Sequence, residues 1–318
     1  MTHESTLDIL AQDRTKLSNL AGKTFLITGG NGMLGRAFQS QIERYVPTAH
    51  IHSLNKSQLD VRQPESFSPF TNLRPDYIVH CAALVDADYC EDHENEGRAS
   101  IVDGTRNVVE FARSSGAKLL YPQSFLIYDG SEPIIDEQTV PNPLGVYGRL
   151  KLEAEQLMHD GTHAALSVRM GGFFGGESAD NNFVGRITPH LLKLIRQGTN
   201  SIDIGNRVWQ PTYTNDHAAN CLLLLAADRS GIYCMASHDS ASFHELTVEI
   251  AVQMGISDKI NIGLVDLAVL AAKEKARRPH SAIMRNTRLK AEGLDRQRLW
   301  RHSLAEYLNQ SFFKDLIK

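Results

Sequence analysis

The chain has 318 residues, 42% hydrophobic and 22% charged, with a formal net charge of −4. That balance supports a folded protein with a large core, and it excludes a basic surface for nucleic acid or for an anionic membrane. The longest apolar run, near Cys221 to Ala227, is too short to span a bilayer. Residues 1–22 mix acids and bases without an apolar stretch. They read as a polar N-terminal extension or short docking helix, not a secretory signal. Four cysteines without C-x-x-C spacing suggest reduced, structural thiols, so a cytoplasmic protein is expected.

In chain order, K-T-F-L-I-T (Lys23 to Thr28) is a short β-rich run ended by Gly-Gly. Helical spacing follows Gly35 up to Tyr45, where Val46-Pro47 stops it. His50 to Leu54 and Asp76 to Ala83 predict two further strands. Ile101, Thr105, Val108, Val109 and Ala112 form the stripe of an amphipathic helix over Arg98 to Ser115. Ala117 to Pro122 is another strand, and a helix is expected from Gly145 to His159. Alternating strands and helices imply βαβ units. The fold class is α/β, a Rossmann-type doubly wound parallel sheet with a smaller C-terminal substrate-binding lobe. The expected division is 23–168 for the cofactor domain and 169–318 for the lobe, with about 205–235 returning to the first. Short strands at Ser201 to Ile204 and Ile232 to Cys234 belong to that last third.

T-G-G-N-G-M-L-G lies between the first strand and the first helix. Gly29, Gly32 and Gly35 there suit a tight turn, close approach to a pyrophosphate and close helix packing, and the helix start beyond them offers unpaired N–H groups. An NAD site favours an acid at the end of the second strand. Here that place reads S-L-N-K, with Lys56 present and no acid before Asp60. Together with Arg36 this favours NADP(H), with NAD(H) as the alternative.

Tyr147 and Lys151, in Y-G-R-L-K, fall one turn apart on one helix face. Ser124 follows a strand at the carboxyl end of the sheet, where ligands bind in doubly wound folds. A free tyrosine titrates near pH 10, about three units too high for easy proton exchange at neutrality. A nearby ammonium lowers it, so Lys151 is expected to tune Tyr147 as the proton donor to a carbonyl oxygen that Ser124 also holds.

Together, T-G-G-N-G-M-L-G, H-C-A-A, Ser124 and Y-G-R-L-K make the chain resemble the extended short-chain dehydrogenase/reductases, and more narrowly the dTDP-4-dehydrorhamnose reductase group. L-D-V (Leu59 to Val61), G-T-R-N-V, Y-D-G, N-F-V, P-T-Y-T-N-D-H-A and the late R-P-H-S carry the narrower likeness, which runs over roughly residues 23 to 310. The resemblance implies Ser124, Tyr147 and Lys151 as the catalytic set. It implies cofactor contacts from Gly29, Gly32, Met33, Leu34, Gly35, Lys56, Asp60, Val61, Cys81, Ala82, Ala83, Tyr147 and Lys151. Substrate contacts are expected from Phe125, Gly172, Asn182, Phe183, Trp209, Arg278 and Arg285, the two arginines as pyrophosphate ligands.

The expected reaction is NADPH-dependent reduction of the 4-keto group of a nucleotide-linked 4-keto-6-deoxy sugar, in a chain that allows a homodimer. Two departures fall where the sugar would sit. Phe125 and Leu126 replace an acid and a tyrosine in Q-S-F-L-I-Y-D-G, and Gly172 in R-M-G-G takes the place of a tryptophan. Loss of that acid argues against a 4,6-dehydratase. A 4-epimerase remains open, as does a regulatory subunit like the methionine adenosyltransferase β-subunit. No metal site is expected: His50 with His52, and His159 with His163, lack zinc-type spacing.

Overall fold

The apolar runs assemble into a six-stranded, all-parallel sheet: β1 (Thr24–Thr28), β2 (His50–Leu54), β3 (Tyr77–His80), β4 (Lys118–Ser124), β5 (Ala165–Met170) and β6 (Gly231–Met235). The computed structural model describes residues 8–162, 164–265 and 274–317. Strand order is β2-β1-β3-β4-β5-β6. The chain leaves β1 in one direction to reach β2 and returns to its other side for β3. The crevice at the carboxyl ends of β1 and β3 is therefore the switch point of the sheet.

Side chains alternate across this sheet as strand geometry requires. Phe25 and Ile27 face one buried layer with α1 (Met33–Tyr45), while Leu26 faces the other with α2 (Gly104–Ser115) and α3 (Val146–Gly161). The helix expected from Arg98 to Ser115 runs through, with one local change of winding. Ala99–Asp103 forms a π-type turn before α2, and the Thr105 hydroxyl donates to the Ile101 carbonyl at 2.5 Å. Gly116, at φ +77°, closes α2 in the left-handed region.

Of the N-terminal residues read as a polar extension or a short docking helix, those from 10 to 20 dock on the sheet domain. Leu10, Leu17 and Leu20 are fully buried against Phe38, Tyr45 and α5 (Thr214–Ala226). Asn19 Nδ2 donates to the Ala226 carbonyl at 3.0 Å, and Arg296 pairs with Asp13. Covered on all sides, α5 is apolar around most of its circumference.

The lobe has its own core, in which α4 (Phe183–Arg196), α6 (Phe243–Gln253) and α7 (Trp300–Leu308) pack through Ile187, Leu191, Leu246, Trp300 and Tyr307. Ser201–Gly205 pairs in parallel with Asn261–Val265, and Val208–Trp209 pairs antiparallel with Ala241–Ser242. Among the described residues, no helix is long and apolar enough to cross a membrane.

Candidate active site

The glycine loop is a cradle defined by what a side chain would strike. Gly29 has φ +68°, and a Cβ there would lie 2.8 Å from the Ala82 amide nitrogen. At Gly35 it would lie 2.4 Å from the Gly29 carbonyl oxygen, and at Gly30 2.3 Å from Ser53 Oγ. The loop thus presses on the ends of both β2 and β3, and Gly30 joins the glycines that sequence singled out. Gly32 precedes α1 without any side-chain cap, so the amides of Met33, Leu34 and Gly35 open the helix with no intrahelical acceptor. Such a cradle fits a diphosphate.

His80 secures the crevice beneath. Its Nδ1 lies 2.8 Å from Thr28 Oγ1 and its Nε2 3.1 Å from Thr105 Oγ1. Because the Thr105 proton goes to Ile101, Nε2 donates and Nδ1 accepts from Thr28. Burial holds this imidazole down to about 3, hence neutral, with Lys151 pushing the same way. Thr28 Oγ1 accepts in turn from the Ala82 amide at 3.2 Å.

Ser124, Tyr147 and Lys151 converge at the end of β4. Tyr147 is 8% exposed and Lys151 4%. The Ser124 hydroxyl stands within hydrogen-bonding reach of the Tyr147 phenol, and its Oγ accepts the Leu126 amide at 3.2 Å. Two features that the sequence reading left uninterpreted set this geometry. A Cβ on Gly148 would lie 2.2 Å from the Leu126 carbonyl oxygen, so glycine lets the Ser124 loop rest on the first turn of α3. The buried Gln123 amide donates to the Lys151 carbonyl at 2.9 Å while its oxygen accepts the Ser124 amide at 2.8 Å.

The electrostatics differ from expectation. Burial drives the Tyr147 phenol well above its usual range, the Cys90 thiol adds to this, and the Ser124 hydrogen bond opposes it. Lys151 does not offset the effect, because its ammonium donates to the Pro122 carbonyl at 2.9 Å and sits 3.8 Å from the centroid of the Tyr121 ring. Desolvation lowers Lys151 to about 7, against upward pulls from Glu155 and Cys81. Tyr147 is therefore a protonated phenol, the form that donates.

Glu155, one turn beyond Lys151, is buried with Arg169. The guanidinium reaches it at 2.7 Å and also donates to the Tyr128 hydroxyl at 2.8 Å, while Ser167 donates to the same carboxylate. This pair ties α3 to β5. Glu155 lies on an ordinary helical repeat, so nothing local marks the pair in advance.

Other predicted cofactor positions are spread around the cradle. Cys81, Ala82 and Ala83 follow β3, with the Cys81 thiol raised to about 12 by burial despite Lys151. Lys56 is exposed beyond β2. Asp60 is committed to Arg62, whose Nε lies 2.9 Å away and which lowers the carboxyl. Val61 is buried and its carbonyl accepts from Asn107 at 2.8 Å.

On the lobe side, Asn182 Nδ2 contacts Met33 Sδ at 3.4 Å, which brings the start of α4 to the glycine loop. Phe183 stacks on Phe243 at 4.3 Å, and Phe243 meets Trp209 edge-on at 5.3 Å. The missing tryptophan at position 172 has a physical counterpart. A Cβ on Gly172 would lie 1.6 Å from Trp209 Cε3, so the Trp209 indole occupies the space above that glycine. Phe125 is partly buried against a cluster containing Tyr128 and Met284.

Arg278 is already paired. It grips Asp88 at 3.1 and 2.9 Å, the Ala276 amide donates to the same carboxylate, and Arg207 holds the neighbouring Glu274 at 2.6 Å. Arg285 is exposed, its backbone amide bonding to Ile135 at 2.8 Å. The structure thus brings Arg278, but not Arg285, into the ion-paired strap between the lobe and Asp88. His163 lies outside the described residues.

This architecture has known counterparts. A dTDP-4-dehydrorhamnose reductase from Clostridium acetobutylicum superimposes with a TM-score of 0.82 at 26% identity, covering 90% of this chain and 98% of that one. The same enzyme from Bacillus anthracis, solved in complex with NADP, gives 0.82 at 25% identity over 90% and 98%. Methionine adenosyltransferase 2 subunit beta from Bos taurus is 25% identical over 305 residues, 91% of this chain and 88% of its own length. A family model described as the RmlD substrate binding domain matches residues 23–312. Spanning the sheet, Ser124, Tyr147 and Lys151, and the lobe together, that match shows that the chain belongs to the RmlD family, within the extended short-chain dehydrogenase/reductases.

Proposed function

We propose that the protein is an NADPH-dependent reductase of the 4-keto group of a nucleotide-linked 4-keto-6-deoxy sugar. The observation that carries this reading is the partly buried Ser124 beside the buried Tyr147 phenol, with the buried Lys151 one turn along, in a fold whose glycine loop makes a cradle at the carboxyl ends of the strands. The nicotinamide cofactor would be held by the Gly29–Gly35 loop and the opening amides of α1, and when bound it supplies hydride. Lys56 and Arg36 beside that cradle, with no acid at the end of β2, favour the 2′-phosphorylated form.

Tyr147 gives its phenolic proton to the substrate carbonyl oxygen, and Ser124 hydrogen-bonds that oxygen as negative charge develops. Lys151, anchored on the Pro122 carbonyl, would hold the cofactor's ribose beside Tyr147. Trp209 provides the aromatic surface above Gly172. Its Nε1 and Asn206 Oδ1, three residues before it, are buried without hydrogen-bond partners, in keeping with a polar ligand there.

The likeness to the methionine adenosyltransferase subunit, at the same identity as the reductases, favours a second reading as a cofactor-binding accessory subunit. Purified protein mixed with NADPH and a dTDP-4-keto-6-deoxy sugar decides between them by loss of cofactor absorbance. Tyr147→Phe is expected to lower kcat at least 100-fold while leaving NADPH affinity within about threefold. NADPH binding without consumption in the wild type would sink the reductase reading.

A further inference from the structure

The helix that carries Tyr147 and Lys151 has no cap of its own. Its N-cap residue is Gly145, with no side chain to accept the first amides. The acceptor comes instead from a distant segment: Glu91 Oε1 takes the Val146 N–H at 2.7 Å, across 55 residues of sequence. Gly145 has φ −126° and ψ 171°, extended backbone open to any residue, so its conformation does not require glycine. Space does. A Cβ at 145 would lie 2.6 Å from Glu91 Oε1, with the Arg277 carbonyl next at 3.5 Å. The glycine leaves room for the carboxylate.

We propose that Glu91 is a positioning residue for the Tyr147 turn, acting as an external cap that fixes the register of the phenol against Ser124. The inference rests on the reductase reading for its kinetic consequence, though its structural part stands alone. A carboxylate at this end of a sixteen-residue helix also meets the positive pole of the helix dipole. The Val146 amide is adjacent in sequence to Tyr147, so losing its acceptor loosens the turn on which the phenol sits. Glu91 shares the short helix Ala87–Asp92 with Asp88, which holds Arg278 and the Ala276 amide. One short element thus fixes both the lobe strap and the start of α3.

The test compares Glu91→Ala, Glu91→Gln and Gly145→Ala, with hydrogen exchange of the peptide covering residues 143–152 measured beside kinetics. Glutamine keeps an oxygen acceptor and alanine does not. Glu91→Ala is expected to lower kcat about 10-fold or more, with KM and NADPH affinity within threefold, since an ångström of misplacement can cost about 100-fold. Glu91→Gln should recover kcat to within about threefold. Gly145→Ala, which displaces the carboxylate, should match Glu91→Ala, and the double variant should be no worse than either. Exchange at the helix start should accelerate in both alanine variants and stay slow in Glu91→Gln.

A lower Tm in Glu91→Ala with kcat intact would overturn the proposal, because the cap would then be merely structural. Equal losses in the glutamine and alanine variants would overturn the acceptor role. If the wild type turns over no nucleotide sugar, the reductase reading fails, and exchange alone decides on Glu91: unchanged protection in Glu91→Ala rejects it.

Discussion

Replacing Lys151 with methionine keeps the length of the side chain and removes its ammonium. Burial lowers this lysine from 10.5 to about 7. In the unfolded chain it holds its proton up to pH 10.5, but in the folded protein only below about pH 7. The unfolded state therefore binds one more proton between those values, and wild-type stability rises with pH across the window. The full cost of burying the charge is about 5 kcal/mol, complete below pH 7 and absent above pH 10.5. Methionine escapes that cost but orphans the Pro122 carbonyl, a loss of about 1–3 kcal/mol that varies little with pH. The slope is therefore the informative quantity. Urea unfolding of both proteins at pH 6 and pH 9 should show the wild type gaining about 3 kcal/mol on the variant over that interval. A difference constant within about 0.5 kcal/mol would mean that the ammonium is not desolvated in the folded protein, and the reasoning about Lys151 would fail.

Two further perturbations probe the rebuilt pocket and the ion pair behind it. Gly172→Ala places a methyl group 1.6 Å from the Trp209 ring, so it should cost about 3 kcal/mol and red-shift tryptophan emission as the indole moves outward; unchanged emission and Tm would show that the ring does not rest there. Arg169→Met leaves Glu155 charged, buried and without its guanidinium, which should cost about 3–5 kcal/mol by urea unfolding. Adding Glu155→Leu should restore much of that loss, and strictly additive losses would count against a coupled pair.

Much of the site was legible because its chemistry is local. The glycine loop sits between one strand and one helix, and Tyr147 and Lys151 are four residues apart on one helix, so their shared face follows from helical geometry. Ser124 could be placed at the carboxyl end of the sheet because a strand ends there. Arg278 was legible only as a cation. Its engagement by Asp88 depends on a contact across 190 residues, which no periodicity reports. Leu10, Leu17 and Leu20 were submerged among charged neighbours, and only their packing against the apolar α5 explains why they are buried. The departure at Gly172 was visible, but its compensation by Trp209 was not, because one sequence carries no sign that positions 172 and 209 share a space.

By itself the sequence determined the βαβ alternation, the glycine cradle and the identity of the three catalytic candidates, since strand and helix periods and turn chemistry act over a few residues. Tertiary structure alone decided the protonation of those groups and the support around them. Desolvation depends on everything packed about a side chain, which is why Tyr147 rises and Lys151 falls where a simple lysine–tyrosine pair predicts a lowered phenol. The cap on the helix of Tyr147 and Lys151, the clamp on Arg278 and the indole above Gly172 come from segments far apart in the chain, and only folding brings them together.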